Sequence, residues 1–499
     1  MLFNSAAFLI FFPIAALGYF LCPQRVRYLW LLGCSYYFYM CWNPAYALLI
    51  LTSTVVTWLS GLALEKIKHA GLEEQRCVQL KKCCVAASFL INLGILGYFK
   101  YANFFLEGIN RVLSLIHVQY QAPMLDILLP VGISFYTFQA LSYTMDVYRD
   151  EIYAEKNLLK YALFVSFFPQ LVAGPIERSK NLLRQLNEEH HFSFEQARSG
   201  FMLMIWGYFL KLVIADRIAL FVQPIYAGRG IDYTGWYLIV ATVLFAFQIY
   251  CDFAGYSTIA MGAAEIMGFR LTDNFNAPYF SQSVSEFWRR WHISLSSWFR
   301  DYLYIPLGGS RKGTLRKYFN LMIVFLVSGL WHGASWHFVA WGALNGLFQI
   351  IGSLLRPVRD RVVQMLHIDR SLFSHKLYRV LATFVLVDFT WVFFLAGSMG
   401  DALRIVRSML TASNIWILFD DSLFGLGPDW KNFMVMLASI GILLFADVMK
   451  YRGITLRHEI AKQELWFRWL VMIGGIMAVL VFGIWGPSYN AANFIYFQF

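Results

Sequence analysis

His332 is the residue around which chemistry can be built. It sits in Ser328-Gly329-Leu330-Trp331-His332-Gly333-Ala334-Ser335-Trp336, midway along an apolar stretch from 318 to 352. An ionisable side chain inside such a run is costly in lipid and usually marks function. Neutral imidazole costs less to bury than a permanent charge, and it titrates where a proton acceptor is useful. The competing reading is a histidine hydrogen-bonded to a neighbouring helix, a common form of polar glue in membranes. His337 follows five residues later, the wrong spacing for two ligands on one helix face, so no metal site is expected. His292 lies in Phe287-Trp288-Arg289-Arg290-Trp291-His292-Ile293-Ser294-Leu295-Ser296, at the edge of an apolar arc. It reads either as an interfacial histidine or as one turned toward a cavity mouth.

Other polar residues in apolar runs read as supporting. Gln248 and Asp252 share a helix face at i, i+4, as do Gln139 and Tyr143, with Asp146 a further turn along. Lys211, Asp216, Asp388 and Asp447 also fall in apolar runs. Pairing across helices, a polar tunnel and a proton relay all remain open for this set. The stretch Gly308-Gly309-Ser310-Arg311-Lys312-Gly313 is basic and glycine-rich. Its amides, with Arg311 and Lys312, suit the phosphates of a nucleotide-like donor, and a plain cytoplasmic loop explains it equally. No G-x-S-x-G elbow, phosphate-binding P-loop or H-E-x-x-H pair occurs.

These residues need a lipid-embedded scaffold. The 499 residues are 59% hydrophobic and 14% charged, against about 25% charged in a soluble domain. The net charge of +11 does not indicate nucleic acid, because the cations sit in short loops between apolar runs, on the positive-inside pattern. The seven cysteines form neither a disulfide framework nor a C-x-x-C pair. The first apolar run begins near Leu2 without a basic leader, so no cleavable signal is expected. Runs near 4–21, 28–42, 45–64, 83–105, 126–146, 201–224, 236–258, 378–398, 432–449 and 467–486 are long enough to span. The stretch 318–352 is too long for one span, and Gly333-Ala334-Ser335 predicts two shorter helices. The stretch 158–175 ends in Pro-Gln-Leu-Val-Ala-Gly-Pro and predicts a re-entrant or interfacial segment, a kind of break that usually lines a cavity. From 283 to 305 one amphipathic helix is expected along the cytoplasmic interface, started by the Ser283/Glu286 capping box, with Phe287, Trp291, Leu295, Trp298 and Tyr302 on one face. Five basic loop clusters, over 66–82, 178–198, 289–317, 356–379 and 450–462, then fall on one side and the acidic Asp420, Asp421 and Asp429 on the other, placing both termini outside. The expectation is one all-α membrane domain over 1–499, with an interfacial cytoplasmic segment at about 280–316 and an extracytoplasmic tail at 487–499.

The order of several motifs adds a resemblance. Gly97-Tyr98-Phe99-Lys100-Tyr101, Leu129-Pro130-Val131-Gly132-Ile133-Ser134-Phe135 through Gln139 to Asp146, Phe167–Ile176, Asp252-Phe253-Ala254-Gly255-Tyr256-Ser257, the Phe287–Ser296 stretch and Trp331-His332-Gly333 follow one another along nearly the whole chain. In this order they resemble the membrane-bound O-acyltransferase (MBOAT) family, in particular its alginate O-acetyltransferase branch. The resemblance implies a polytopic helical fold of about 11–13 membrane helices with a tunnel through the bilayer. It implies His332 as the catalytic histidine and His292 as a second functional one, with Asp252, Gln139 and Asn345 as tunnel-supporting candidates. It also implies an acyl thioester donor, acetyl-CoA foremost, with no permanently bound cofactor. An extracytoplasmic esterase-like acetyltransferase is the implied partner, and a cell-envelope polysaccharide, alginate among the possibilities, is the acceptor. The setting would be a bacterial inner membrane and its lipids. The chain ends Phe494-Ile495-Tyr496-Phe497-Gln498-Phe499. Related envelope systems resemble it in ending on an aromatic motif, which makes Tyr496 a candidate acyl carrier beside the reading of an interfacial anchor. A flippase that exports the donor without chemistry, and a lipid or protein acyltransferase on the same scaffold, are the alternatives.

Overall fold

A computed structural model describes residues 1–118, 120–172, 174–426, 429–485 and 495, and no strand occurs among them. The helices are α1 (Ala6–Leu21), α2 (Arg27–Met40), α3 (Ala47–Lys68), α4 (Glu74–Leu96), α5 (Ala102–Leu115), α6 (Ile133–Tyr148), α7 (Leu158–Ser166), α8 (Phe168–Leu171), α9 (Ser179–Gln185), α10 (Phe194–Tyr208) and α11 (Asp216–Ala227). They continue with α12 (Trp236–Ile266), α13 (Val284–Arg290), α14 (Ile293–Phe299), α15 (Thr314–His332), α16 (Trp336–Leu354), α17 (Arg356–Met365), α18 (Phe373–Leu395), α19 (Met399–Leu410), α20 (Trp430–Tyr451), α21 (Leu456–Ala461) and α22 (Leu465–Phe482). Among the described residues six helices are long and apolar enough to cross a membrane, or seven if the bent pair α16–α17 is one span. Several other expected spans are present as helices that are shorter or interrupted. The run 201–224, for instance, is α10 and α11 joined by a π-helical stretch from Phe209 to Ala215.

The chain divides into two compact units, 1–204 with 260–272, and 205–259 with 273–499. In the first, α3 packs on α4, α6 and α7, and α2 packs on α7. Polar pairs tie these helices and α9. Ser53 donates to Asn92 Oδ1 at 2.5 Å, Thr57 and Tyr161 share a hydrogen bond at 2.7 Å, and Ser179 donates to Asp146 Oδ2 at 2.6 Å. Two expectations are corrected here. The run 126–146 is not helical throughout, because α6 starts only at Ile133. Gly132 before it has φ +75°, and a Cβ there would lie 2.6 Å from the Leu171 carbonyl oxygen, so only glycine fits this entry turn. Arg76, Lys81 and Lys82 ride on α4 rather than in a loop, a position from which long cationic side chains can snorkel to the interface. The segment 158–175 is broken as expected, at Phe167 between α7 and α8, and residues 161–172 are all buried.

In the second unit the dominant element is the α15–α16 hairpin, joined at Gly333-Ala334-Ser335, the break expected from the sequence. Glycine permits its close approach. A Cβ at Gly342 would meet the Phe325 carbonyl oxygen at 2.2 Å, and one at Gly329 the Phe338 carbonyl oxygen at 2.3 Å. Small residues that let backbones touch are the usual device for helix association in lipid. Helix α18 packs on α16, and α13 packs on both α16 and α18. The single helix expected over 283–305 is instead two, α13 and α14, followed by a π-helical stretch from Arg300 to Tyr304. A neighbouring segment captures the backbone between them. Asn276 N donates to the Arg290 carbonyl at 2.9 Å, and Ile293 N to the Asn274 carbonyl at 3.0 Å. The Ser283 cap does start α13, accepting from Glu286 N.

Candidate active site

The break between α13 and α14 leaves His292 at the N-cap of α14 in the left-handed region, with φ +45°. A non-glycine residue held there costs about 1–3 kcal/mol and persists only where the surroundings fix it. The fixing groups are visible. Ser294 N and Oγ both donate to Asn274 Oδ1, at 3.2 and 2.7 Å, while the His292 carbonyl accepts from Ser296 N at 2.9 Å. His292 is 1% exposed, and burial among rings holds its imidazole down at about 3, against an ordinary 6.5. It is therefore neutral at physiological pH. Its ring meets Phe253 edge-on, with centroids 4.6 Å apart.

His332 is the last residue of α15, at the apex of the α15–α16 hairpin, and is 5% exposed. Its wall is aromatic. The rings of Trp331 and Trp341 each lie 4.9 Å from it, and Phe394 of α18 lies at 5.4 Å, all edge-to-face. Gly333 is needed beneath, because a Cβ there would lie 2.2 Å from the Phe338 ring. Trp331 is also 6.1 Å from His292. The two histidines, 40 residues apart in sequence, thus share one tryptophan. Trp341 is 1% exposed, and its Nε1 has no hydrogen-bond partner among the described residues. One turn along α16, Asn345 accepts from Trp288 Nε1 at 3.2 Å and donates to the Trp341 carbonyl at 2.9 Å. It braces the wall.

A second buried cluster joins a lysine to two aspartates. Lys211, in the π-helical stretch before α11, lies 2.8 Å from Asp216 and 2.6 Å from Asp252. All three are buried. The other carboxylate oxygen of Asp252 accepts from the backbone of Ile495 at 2.8 Å, and Ile495 is itself buried. Asp252 adjoins Phe253 on α12, so neighbouring residues face the charge cluster and His292. The candidate carrier Tyr496, next to Ile495, lies outside the described residues.

The remaining candidates are placed differently. Gln139 belongs to the first unit, where its Nε2 donates to the Phe164 carbonyl at 2.7 Å. Arg311 and Lys312 are exposed on the turn before α15, which Asn320 ties down by donating to the Gly309 carbonyl at 3.0 Å. His337 bonds the Phe393 carbonyl through Nδ1 at 2.9 Å, which fixes α16 to α18. Trp331, Trp341 and Phe253 were not singled out from the sequence as site residues. The first and last stood inside motifs already noticed, and only their ring contacts identify them.

Comparison with known proteins adds a family. The profile of MBOAT, the membrane-bound O-acyltransferase family, matches residues 149–396. A probable alginate O-acetylase AlgI of Azotobacter vinelandii is 39% identical over 421 residues, covering 84% of this chain and 80% of its own. The peptidoglycan O-acetyltransferase of Helicobacter pylori is 32% identical over 451 residues, covering 83% and 81%. The teichoic acid D-alanyltransferase of Streptococcus thermophilus is 29% identical over 274 residues, covering 50% and 63%.

Proposed function

The chain belongs to the membrane-bound O-acyltransferase family, and from that premise we propose that His332 is the base that delivers an acetyl group from a thioester donor to a hydroxyl. The protein is a multi-pass membrane O-acyltransferase, and transfer is to a cell-envelope polymer, the class on which its relatives act. The observation that carries the finer reading is the pairing of His332 and His292 around Trp331 in a buried aromatic pocket.

A thioester is already activated, so the acceptor hydroxyl chiefly needs its proton removed. His332 takes that proton as the oxygen attacks the carbonyl carbon. The carbon–sulfur bond then breaks, the proton passes from His332 to the leaving sulfur, and an ester and a thiol result. General base help of this kind contributes roughly 10²–10⁴-fold. Exclusion of water by the ring wall and the orientation of both reactants supply more. Trp341 Nε1 is a donor available to the carbonyl oxygen as charge develops on it. His292, neutral and rigidly held, orients a reactant on the other side of Trp331.

The donor in this reading is acetyl-CoA, and the setting is a bacterial inner membrane with the basic clusters facing the cytoplasm. Tyr496 receives the acetyl group and passes it to the serine of an extracytoplasmic esterase-like partner, which esterifies the polysaccharide. The buried Ile495 amide on Asp252 supports this role, since the residue before Tyr496 reaches the interior of the second unit. The test uses purified protein in nanodiscs with radiolabelled acetyl-CoA. Label released from CoA or retained on protein by the native chain, and lost in His332→Ala, supports the reading. Equal transfer of label by the two proteins refutes His332 as the base, and no transfer by either favours transport without chemistry. A Tyr496→Phe variant with full transfer to the polymer refutes the carrier step.

A further inference from the structure

We propose that the second unit carries a binding site for the headgroup of an anionic phospholipid, at the base of the α15–α16 hairpin and away from its histidine apex. A cavity of about 1190 Å³ opens where α16 bends by 48° into α17. Its wall collects Lys317 from α15, Arg356 and Arg359 from α17, Arg370 from the following connection and Arg379 from α18. Asp360 is the only carboxylate among the described residues lining it. Arg370 pairs with Asp360, and Arg356 approaches it at 3.9 Å. Five permanent cations against one carboxylate leave a local excess of four positive charges. A cationic face that only had to be solvated would spread its charges apart. Here they line one volume from four segments, Arg359 also donating to the Gly352 carbonyl at 2.8 Å, together with hydroxyls of Ser283 and Ser285. That donor set suits phosphate oxygens.

The apolar lining identifies the rest of the ligand. Val358, Val362, Ile368 and Leu386 line the cavity and are 55%, 45%, 38% and 40% exposed. Val358, Val362 and Met365 fall at i, i+4 and i+7 along α17, with Arg356, Arg359 and Asp360 off that stripe. A short helix with one apolar and one cationic face lies in the plane of an interface. Leu321 and Phe348 extend the apolar lining along α15 and α16. Phosphates held by the cations with acyl chains lying along the exposed apolar residues beside them describe a phospholipid, and basic pockets between membrane helices are where such headgroups bind. A nucleotide carries the same phosphates without the chains, so the experiment separates the two.

The protein is purified in a mild detergent and examined by native mass spectrometry after addition of phosphatidylglycerol, cardiolipin or phosphatidylcholine. The expected result is retention of the anionic lipids over phosphatidylcholine, weakened roughly tenfold or more by Arg359→Gln with Arg379→Gln. The control pair Arg361→Gln with Lys376→Gln removes the same charge from residues outside the cavity and is expected to keep the lipid. Equal retention of zwitterionic and anionic lipids overturns the proposal, as does an equal loss in both double variants. A third arm adds coenzyme A or adenosine 3′,5′-bisphosphate. Displacement of the bound lipid by either at micromolar concentration overturns the lipid assignment and gives the cavity to a nucleotide, while persistence of the lipid supports it.

Discussion

The second unit buries two polar clusters of opposite design. Around His332 and His292 stands a wall of aromatic rings, and His292 is held neutral. Around Lys211 two carboxyl groups are gathered, Asp216 at 2.8 Å and Asp252 at 2.6 Å, and a tail residue docks on the cluster by its amide. Burying charge is expensive and is offset only by close pairing and further hydrogen bonds. Burying a neutral imidazole costs far less and leaves a lone pair for a proton. The ring pocket is therefore suited to turnover, and the charge cluster to fixing a geometry. The two clusters therefore fail differently when altered.

His332→Ala is expected to show the largest effect, a loss of about 10²–10⁴-fold in acyl transfer, with the unfolding temperature in detergent little changed. Comparable loss of both would mean that His332 is a structural residue like His337. Lys211→Met is expected to do the reverse. It leaves two buried carboxylates facing each other without a cation, a fault that typically costs 3–5 kcal/mol, read as a lowered unfolding midpoint. Adding Asp216→Asn and Asp252→Asn to it should recover much of that loss, because no uncompensated charge then remains. A Lys211→Met protein as stable as the native one would show the cluster to be hydrated and would blur the contrast. Gly342→Ala probes the frame of the ring pocket. Its new methyl carbon cannot fit 2.2 Å from a backbone oxygen, so α15 and α16 must separate, at a cost of about 1–3 kcal/mol. Because His332 crowns that hairpin, a displacement near 1 Å should also lower turnover more than stability alone explains.

The sequence made some of this legible and hid the rest for identifiable reasons. The break at Gly333–Ser335 was readable, since an apolar stretch of that length cannot be one span and small residues mark the turn. The broken segment around Phe167 was readable from its prolines. The charged residues in apolar runs announced themselves by cost, although only the fold shows that Lys211 pairs with both Asp216 and Asp252. The break at Trp291–His292 was not readable. Helical periodicity continues straight through it, and what interrupts the helix is the backbone of Asn274 and Asn276, a tertiary competitor that local spacing does not register. The late start of α6 was hidden for a similar reason, because the Leu171 carbonyl sets it from a distant segment. The cations of 356–379 read as one more cytoplasmic loop, yet Arg356 and Arg359 lie on a helix and line a cavity. Trp331 stood beside His332 in plain sight, and only the fold turns it toward His292.

The smallest expected effect concerns that hidden break. Burial lowers the His292 imidazole from 6.5 to about 3 in the folded protein, while in the unfolded chain it titrates at its ordinary value. Between those two limits the unfolded state binds a proton that the folded state refuses. Stability therefore falls as pH drops through this window, and His292 makes no such demand above its ordinary value. The slope is at most about 1.4 kcal/mol per pH unit for one proton. Unfolding of the native protein should thus become easier from pH 6.5 to pH 5.5. His292→Gln should flatten that dependence, because glutamine does not titrate, and the difference between the two pH profiles isolates the contribution of one buried ring. A slope unchanged in the variant would show that His292 already takes up its proton in the folded state, which would make the pocket wet rather than dry and would remove the physical distinction between the two clusters.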